Sequence, residues 1–288
     1  MTTPASETLG PHSVTRKLHR PWGKWGLRTA AATYLGAMIL LPIAAILHAG
    51  FEEGLSHFWQ SITEPIALQA LYLTLLTAGV TTLINAVMGT LAAYVLVRSD
   101  FTGKRILNAL IDMPFAIPTL VTGVMLVVLY GPQGLFARFF TVYDIEIVFA
   151  RPGIVLALLL VTYPFTVRSV QPVLLAMELD QEEAAYTLGA SRWTTFWRIV
   201  FPSLIPAILT GSLLTFARAI GEFGSIVIVS GNIPGRTLTA PVHIFGLIES
   251  DNQSGASAIS ILLLGLSFSL VLIVDQLQRR KEARHARV

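Results

Sequence analysis

The feature that most constrains this chain is its alternation of long apolar blocks with short polar stretches. Six blocks stand out, at 29–48, 70–97, 107–130, 153–171, 203–230 and 256–276, each long enough for a helix of about 20 residues to cross a hydrocarbon core of about 30 Å. That core offers no water to backbone N–H and C=O groups, and a helix satisfies them internally. The spacing therefore predicts an all-α membrane protein with six transmembrane helices. Composition agrees, with 53% hydrophobic and only 13% charged residues and a mean hydropathy of +0.66, against about a quarter charged in soluble domains. A formal charge of +3 in a soluble chain would suggest nucleic acid. Here the basic residues gather at the ends of apolar blocks, the pattern of membrane orientation, so no nucleic-acid partner is expected. The chain has no cysteine, which excludes disulfides, thiolate metal sites and a cysteine nucleophile.

With the N-terminus inside, the inner segments are 1–28, 98–106, 172–202 and 277–288. These segments and the adjoining helix ends hold most of the 20 Lys and Arg residues, among them Arg98, Lys104, Arg105, Arg168, Arg192, Arg198 and the Arg279-Arg280-Lys281 run. The outer loops keep Arg138, Arg151 and Arg236, and the first of them, FEEGLSHFWQSITEP, has three glutamates and no Lys or Arg. The positive-inside rule then puts both termini in the cytoplasm. The basic run Arg16, Lys17, Arg20, Lys24 and Arg28 before the first block also fits a secretory signal. Against that, the block is longer than the usual core of about 7–15 residues and lacks a clear A-x-A site. Pro114 and Pro118 fall in the third block, Pro164 in the fourth and Pro206 in the fifth. Each removes a backbone donor and favours a kink, although proline is also simply common in membrane helices.

The longest inner segment, AMELDQEEAAYTLGASRWTTFWRIVFPSLIP, is polar enough to leave the membrane and reads as two short helices. Asp180 with Glu183 three residues on is a capping-box-like start. Gly189 is placed to take the left-handed conformation that ends a helix, Ser191 can cap the next one, and Pro202 is expected to close that one at the membrane. Ala184, Ala185 and Gly189 leave a small surface on which another protein could approach closely. Trp193, Phe196 and Trp197 form a bulky apolar face. Composition alone leaves two readings open, a docking site and an amphipathic helix lying on the inner leaflet.

The same stretch resembles the EAA loop of ABC importer permeases, whose pattern is E-A-A, three residues, G, nine residues, I, one residue, L-P. Glu183-Ala184-Ala185, Gly189, Ile199 and Pro202 match it, and Phe201 stands where Leu is usual. The resemblance implies a type I ABC importer permease fold, six transmembrane helices with a cytoplasmic EAA coupling-helix loop between the fourth and fifth. It also implies that Glu183, Ala184, Ala185, Gly189, Ile199 and Pro202 couple the chain to a separate ATPase. From about Gly89 onward the chain is similar to the sulfate/thiosulfate permease group, T subunit, through DMPFAIPTLVTG, YPFTVRSVQPVL, FARAIGEFGSIVIVSGNIP and GASAIS. Molybdate and tungstate permeases share the GEFG-like and GNIPGRT phrases and remain a competing reading. The apolar blocks and their sidedness divide the chain into a cytoplasmic tail at 1–28, a permease domain at 29–276 whose inner segment at 172–202 is the EAA loop of the resemblance, and a basic cytoplasmic tail at 277–288. The implied partners are two copies of an ABC ATPase subunit that use ATP and Mg, a second permease subunit (W-type, or a second copy in a homodimer), and a periplasmic or lipid-anchored sulfate-binding protein. The implied location is the bacterial inner membrane.

Within the fifth block, Arg218 and Glu222 are spaced i, i+4 and are expected to share one helix face. A charge at the centre of a membrane helix costs about 2.5–3.5 kcal/mol on the insertion scale, so such residues turn inward and pair. They either set the potential of an anion path or form an ion pair that only fixes packing. Gly221 and Gly224 flank Glu222 and allow either a local break or close helix approach. Asn232 and Arg236 follow in a turn-like run. There is no G-x-x-x-x-G-K-[ST] loop, so the chain itself is not expected to hydrolyse ATP, and a secondary anion carrier is the rival from another class. The six histidines show no metal-ligand spacing, and no catalytic or metal-binding residue is expected.

Overall fold

The computed structural model describes residues 21–285. Arg16, Lys17 and Arg20, on which the sidedness argument leans, lie outside the described residues, as do the side chains of the Arg279-Arg280-Lys281 run. The chain divides into two units, residues 1–45 and 46–288. The first holds most of α1 (Pro21–Phe51); everything below concerns the second.

Beyond α1, the segment expected as the first outer loop is itself helical, α2 (Gly54–Thr63). It leads into α3 (Pro65–Arg98), which has proline in its first turn, where no N–H is needed, and Arg98 in its last turn, where a cation meets the negative end of the helix dipole. The third apolar block is not one helix. It is α4 (Lys104–Ala116) and α5 (Thr119–Tyr130), bent by 113° at Ile117-Pro118. Pro118 cannot donate a backbone bond and biases Ile117 away from helical angles, and Ile117 is extended. A short α6 (Ala137–Val142) follows. Next comes α7 (Arg151–Ala176), which runs through Pro164 and Pro172.

The inner segment then forms α8 (Asp180–Thr187) and α9 (Arg192–Thr195). Here the expectation about Pro202 is overturned. A π-helical turn at Phe196–Val200 joins α9 to α10 (Phe201–Ile220), so that Arg192–Ile220 is one continuous span. The N–H of Phe201 reaches back five residues to the carbonyl of Phe196, which widens the helix where a proline ring would otherwise crowd the preceding turn. The fifth block also ends sooner than expected. After α10 the chain breaks at Gly221–Phe223 and resumes as α11 (Gly224–Val229). The remaining elements are α12 (Ala240–Glu249) and α13 (Gln253–His285). Among the described residues five helices, α1 included, are long and apolar enough to cross a membrane, and the bent α4–α5 pair makes a sixth where it counts as one span.

Long apolar helices have no hydrophobic reason to associate in lipid, so their contacts rest on close packing and polar bonds. The core of α3, α7 and α10 shows both. A Cβ on Gly89 or Gly211 would meet Thr166 at 2.8 Å, so these two glycines set how closely α3 and α10 approach α7. Asn85 donates to the Thr162 hydroxyl at 2.9 Å, and the Thr166 and Thr215 hydroxyls lie 3.2 Å apart. Toward the α8 end, Ala93 and Leu96 of α3 pack with Val167, Val170 and Leu174 of α7 and with Val200 and Leu204 on the α10 side. There α4 is fastened to α7 by Arg168, whose guanidinium donates to both Asp112 oxygens at 2.7 and 2.6 Å and to Asn108. This is the forked geometry that only arginine provides.

Candidate site: a displayed helix and a pair of broken helices

The EAA stretch folds much as its turn chemistry dictates. Gly189 sits at φ +84, a conformation that costs glycine nothing and a residue with a Cβ about 1–2 kcal/mol. Its N–H bonds to the carbonyl of Tyr186 at 3.0 Å, and the N–H of Ala190 bonds to that of Ala185 at 3.0 Å. This is a Schellman closure of α8. Two residues on, the Ser191 side chain accepts from the N–H of Thr194 at 3.2 Å and so caps α9. Asp180 is not the cap it was expected to be. It begins the helix, Leu179 precedes it, and no side chain caps that end.

Glu183, Ala184 and Gly189 are exposed and Ala185 is half-buried. A Cβ on Gly189 would meet nothing. Leu188 is 88% exposed and Trp193 71%. Trp193, Trp197, Phe201 and Phe196 form a chain of ring contacts with centroids 4.7–6.1 Å apart. Ile199 lies in the π turn and Pro202 in the first turn of α10, so the six pattern residues are divided between α8 with its closing turn and the continuous helix that follows.

A second set of motif residues meets where α5 and α11, the continuations of two interrupted helices, pack together. Arg218 is in the last turn of α10, while Glu222 lies past its end, so the expectation that the two share one helix face fails. They pair nevertheless, Nη1 to Oε2 at 2.6 Å. The other oxygen of Glu222 accepts from the N–H and hydroxyl of Ser225 at 2.9 and 2.8 Å, which holds the first turn of α11. Glu222 is 1% exposed and Arg218 34%. The carboxylate is thus sealed and fully bonded, and the guanidinium keeps an open side. Gly224 is pressed against Thr119 and Leu120 at the start of α5, and a Cβ on Gly123 would lie 2.8 Å from the carbonyl of Ser225. The phrases IPTLVTG and GEFGS therefore pack together although about a hundred residues separate them in sequence. Gly221 touches nothing closer than 4.0 Å with an added Cβ and serves only the break.

Asn232 has φ +54 and spends its side chain inside its own turn, on Ser230 and the carbonyl of Val227. Arg236 pairs with Glu146 at 2.8 Å at an exposed position, beside a cleft of about 380 Å³. The Ser254 hydroxyl donates to Glu53 at 2.7 Å with His57 Nε2 at 3.2 Å, and Asn252 caps α13. That cluster fastens α2 to the start of α13.

One close contact has no counterpart in the sequence reading. Arg98 Nη2 lies 2.6 Å from Oε1 of Glu182, with side chains only 14% and 7% exposed. The partners are 84 residues apart, and the EAA pattern contains the adjacent Glu183 but not Glu182. An arginine ending one helix and an acid beginning another was the available signal.

Long apolar helices packed on glycines and hydroxyls, two broken helices packed together and a short polar helix displayed beside them define a multi-pass helical membrane protein. Comparison with known proteins agrees. A family model described as the binding-protein-dependent transport system inner membrane component matches residues 85–283. The chain belongs to that family. It is 45% identical to a probable sulfate transport system permease protein of Chlorokybus atmophyticus, over 92% of both chains. To the sulfate transport system permease protein of Synechocystis it is 44% identical, over 95% of this chain and 94% of the other. Among solved structures, a bacterial ABC transporter that imports the acidic polysaccharide alginate has a chain with a TM-score of 0.78 at 17% identity, covering 92% of this chain and 98% of that one. The MetNI methionine transporter gives a TM-score of 0.59 at 17% identity, over 76% and 98%. Both share the fold, that of the type I ABC importer permeases.

Proposed function

We propose that this chain is one permease half of an ATP-driven importer of sulfate or thiosulfate, set in the inner membrane with both termini cytoplasmic. The observation that carries the substrate is the identity of 45% and 44% with relatives named as sulfate permeases, over more than nine-tenths of each chain. The working complex on this reading contains two ATPase subunits supplying ATP and Mg chemistry, a second permease half of W-type or a second copy of this chain, and an external sulfate-binding protein. An alginate ABC transporter has been solved in complex with a periplasmic protein that carries an alginate pentasaccharide, which supports an external binding protein as one of these partners.

In this mechanism α8 sits in a groove of the ATPase. Glu183, Ala184, Ala185 and Gly189 form the contact, and Gly189 is small enough to let the partner's backbone close in. The Schellman turn and the Ser191 cap make α8 and α9 a stiff elbow. Movement of α8 is therefore passed through the π turn, by way of Ile199 and Pro202, into α10. At the far end of α10 lies the Gly221 break, where Arg218 presents an open positive face to a passing anion while Glu222 holds it in place and anchors α11. Gly224 keeps α11 against α5, so both broken helices shift together. The path must hold a dianion weakly enough to let it go, which leaves high affinity to the binding protein.

The test is labelled-sulfate uptake in cells lacking the gene, rescued by plasmid, with thiosulfate and molybdate as competitors. Loss that only the intact gene restores, with thiosulfate competing, is expected. Unchanged sulfate uptake with lost molybdate accumulation would reassign the cargo. In a pull-down the chain is expected to retain an ATPase subunit and to release it on Glu183→Arg or Gly189→Trp; retention by both variants would remove α8 from the contact.

A further inference from the structure

Among the described residues of α8, Glu182 is the one whose side chain is buried; the rest of the helix stands in the open or half-open. A short helix with no apolar face has little besides its chain connections to hold it. What Glu182 reaches is Arg98, the final residue of α3, at 2.6 Å and nearly out of solvent. Both helix dipoles favour this pairing, since the cation ends one helix and the anion sits in the first turn of the other. The Arg98 Nε is buried without a partner, and the hydrogen bond that the guanidinium makes through Nη2 goes to Glu182. Within the last turn and a half of α3, Tyr94 meets Phe196 of the π turn edge-on at 5.3 Å, and Leu96 and Ala93 enter the cluster shared with α7 and α10. A close-packed cluster of this kind transmits displacement and does not absorb it.

We infer that Arg98 and Glu182 are a positioning pair that ties α8 to the end of α3, so that movement of α8 drives α3 directly as well as driving α10 through the chain. The inference rests on the reading of α8 as the ATPase-docking helix. It assigns to Glu182 a duty different from that of Glu183: the exposed acid faces the partner subunit, and the buried one faces inward and carries the motion. A buried pair of this sort need add no net stability, but its loss leaves a helix free to tilt without moving the span behind it.

The experiment uses the assembled complex in proteoliposomes with its binding protein and labelled sulfate, and measures ATPase subunit retained, ATP hydrolysed and sulfate moved per ATP. Arg98→Gln and Glu182→Gln are expected to retain the ATPase subunit and hydrolyse ATP while sulfate moved per ATP falls about tenfold, the size of effect a coupling residue commands. Arg98→Lys keeps the charge and is expected to stay near the wild-type ratio. An unchanged ratio in both glutamine variants overturns the inference. So does a loss of retained ATPase that matches the loss of transport, because the pair would then only help α8 fold. A wild-type complex that retains no ATPase, or moves no sulfate, would instead strike down the functional reading on which the inference stands.

Discussion

Arg218 and Glu222 form one ion pair but stand to lose different things. Glu222 is sealed and bonded on both oxygens, so removing Arg218 leaves a carboxylate with two Ser225 donors and no countercharge. Removing the charge of Glu222 leaves an arginine that still has an open side. Breaking a buried pair by deleting one partner costs about 3–5 kcal/mol, whereas a partly solvated charge loses nearer about 1 kcal/mol. Arg218→Met is therefore expected to lower thermal stability of the purified protein clearly more than Glu222→Gln, which also keeps an acceptor for Ser225. Equal melting temperatures for the two variants would mean that water reaches Glu222. The two glycines beside Glu222 separate in the same way, because one shapes the break and the other shapes a contact.

At the scale of elements, that contact joins α5 to α11, and its closeness depends on Gly224 meeting the Thr119 side chain and the backbone N–H of Leu120. A methyl group there cannot be accommodated by rotating Thr119 alone, because the Leu120 backbone is also in the way, and overpacking of this kind costs about 1–3 kcal/mol. Gly224→Ala is expected to lower the melting temperature and the rate of sulfate uptake together. Gly221→Ala meets open space and is expected to stay within about 0.5 kcal/mol of wild type. If Gly221→Ala proves the more damaging, the backbone break itself matters more than the crossing of the two helices. The continuous run from α9 through the π turn into α10 belongs to this scale too. It makes the displayed elbow the root of a transmembrane helix and not a loop hung between two of them.

For the molecule as a whole, the functional reading depends on α8 being cytoplasmic and α2 being outside. The chain has no cysteine, so single cysteines report sidedness without background. Leu55 of α2 is 71% exposed and Leu188 beside α8 is 88% exposed. A membrane-impermeant maleimide is expected to label Leu55→Cys in intact spheroplasts and Leu188→Cys only in inverted vesicles. The opposite pattern would invert the topology and remove any ATPase contact at Glu183.

Much of this protein was legible in the sequence because the physics concerned is local or compositional. Transfer of apolar blocks out of water set the membrane class and the number of spans. Turn chemistry at Gly189 and Ser191 set the elbow, since a left-handed glycine and a capping hydroxyl act on backbone groups within a few residues of themselves. The EAA spacing marked which short helix to watch. What the sequence left open is everything that depends on which faces meet. Hydropathy averages over a break, so the bend at Ile117-Pro118 and the end of α10 before Glu222 were hidden inside continuous apolar blocks. Pro202 reads as a stop unless the π turn that accommodates it is seen. The Arg98–Glu182 tie and the Gly224–Thr119 contact join residues far apart in the chain, and only the packing of α3, α5, α8 and α11 brings them within reach, because ion pairs and close glycine contacts are short-range forces that act after the helices have found their places.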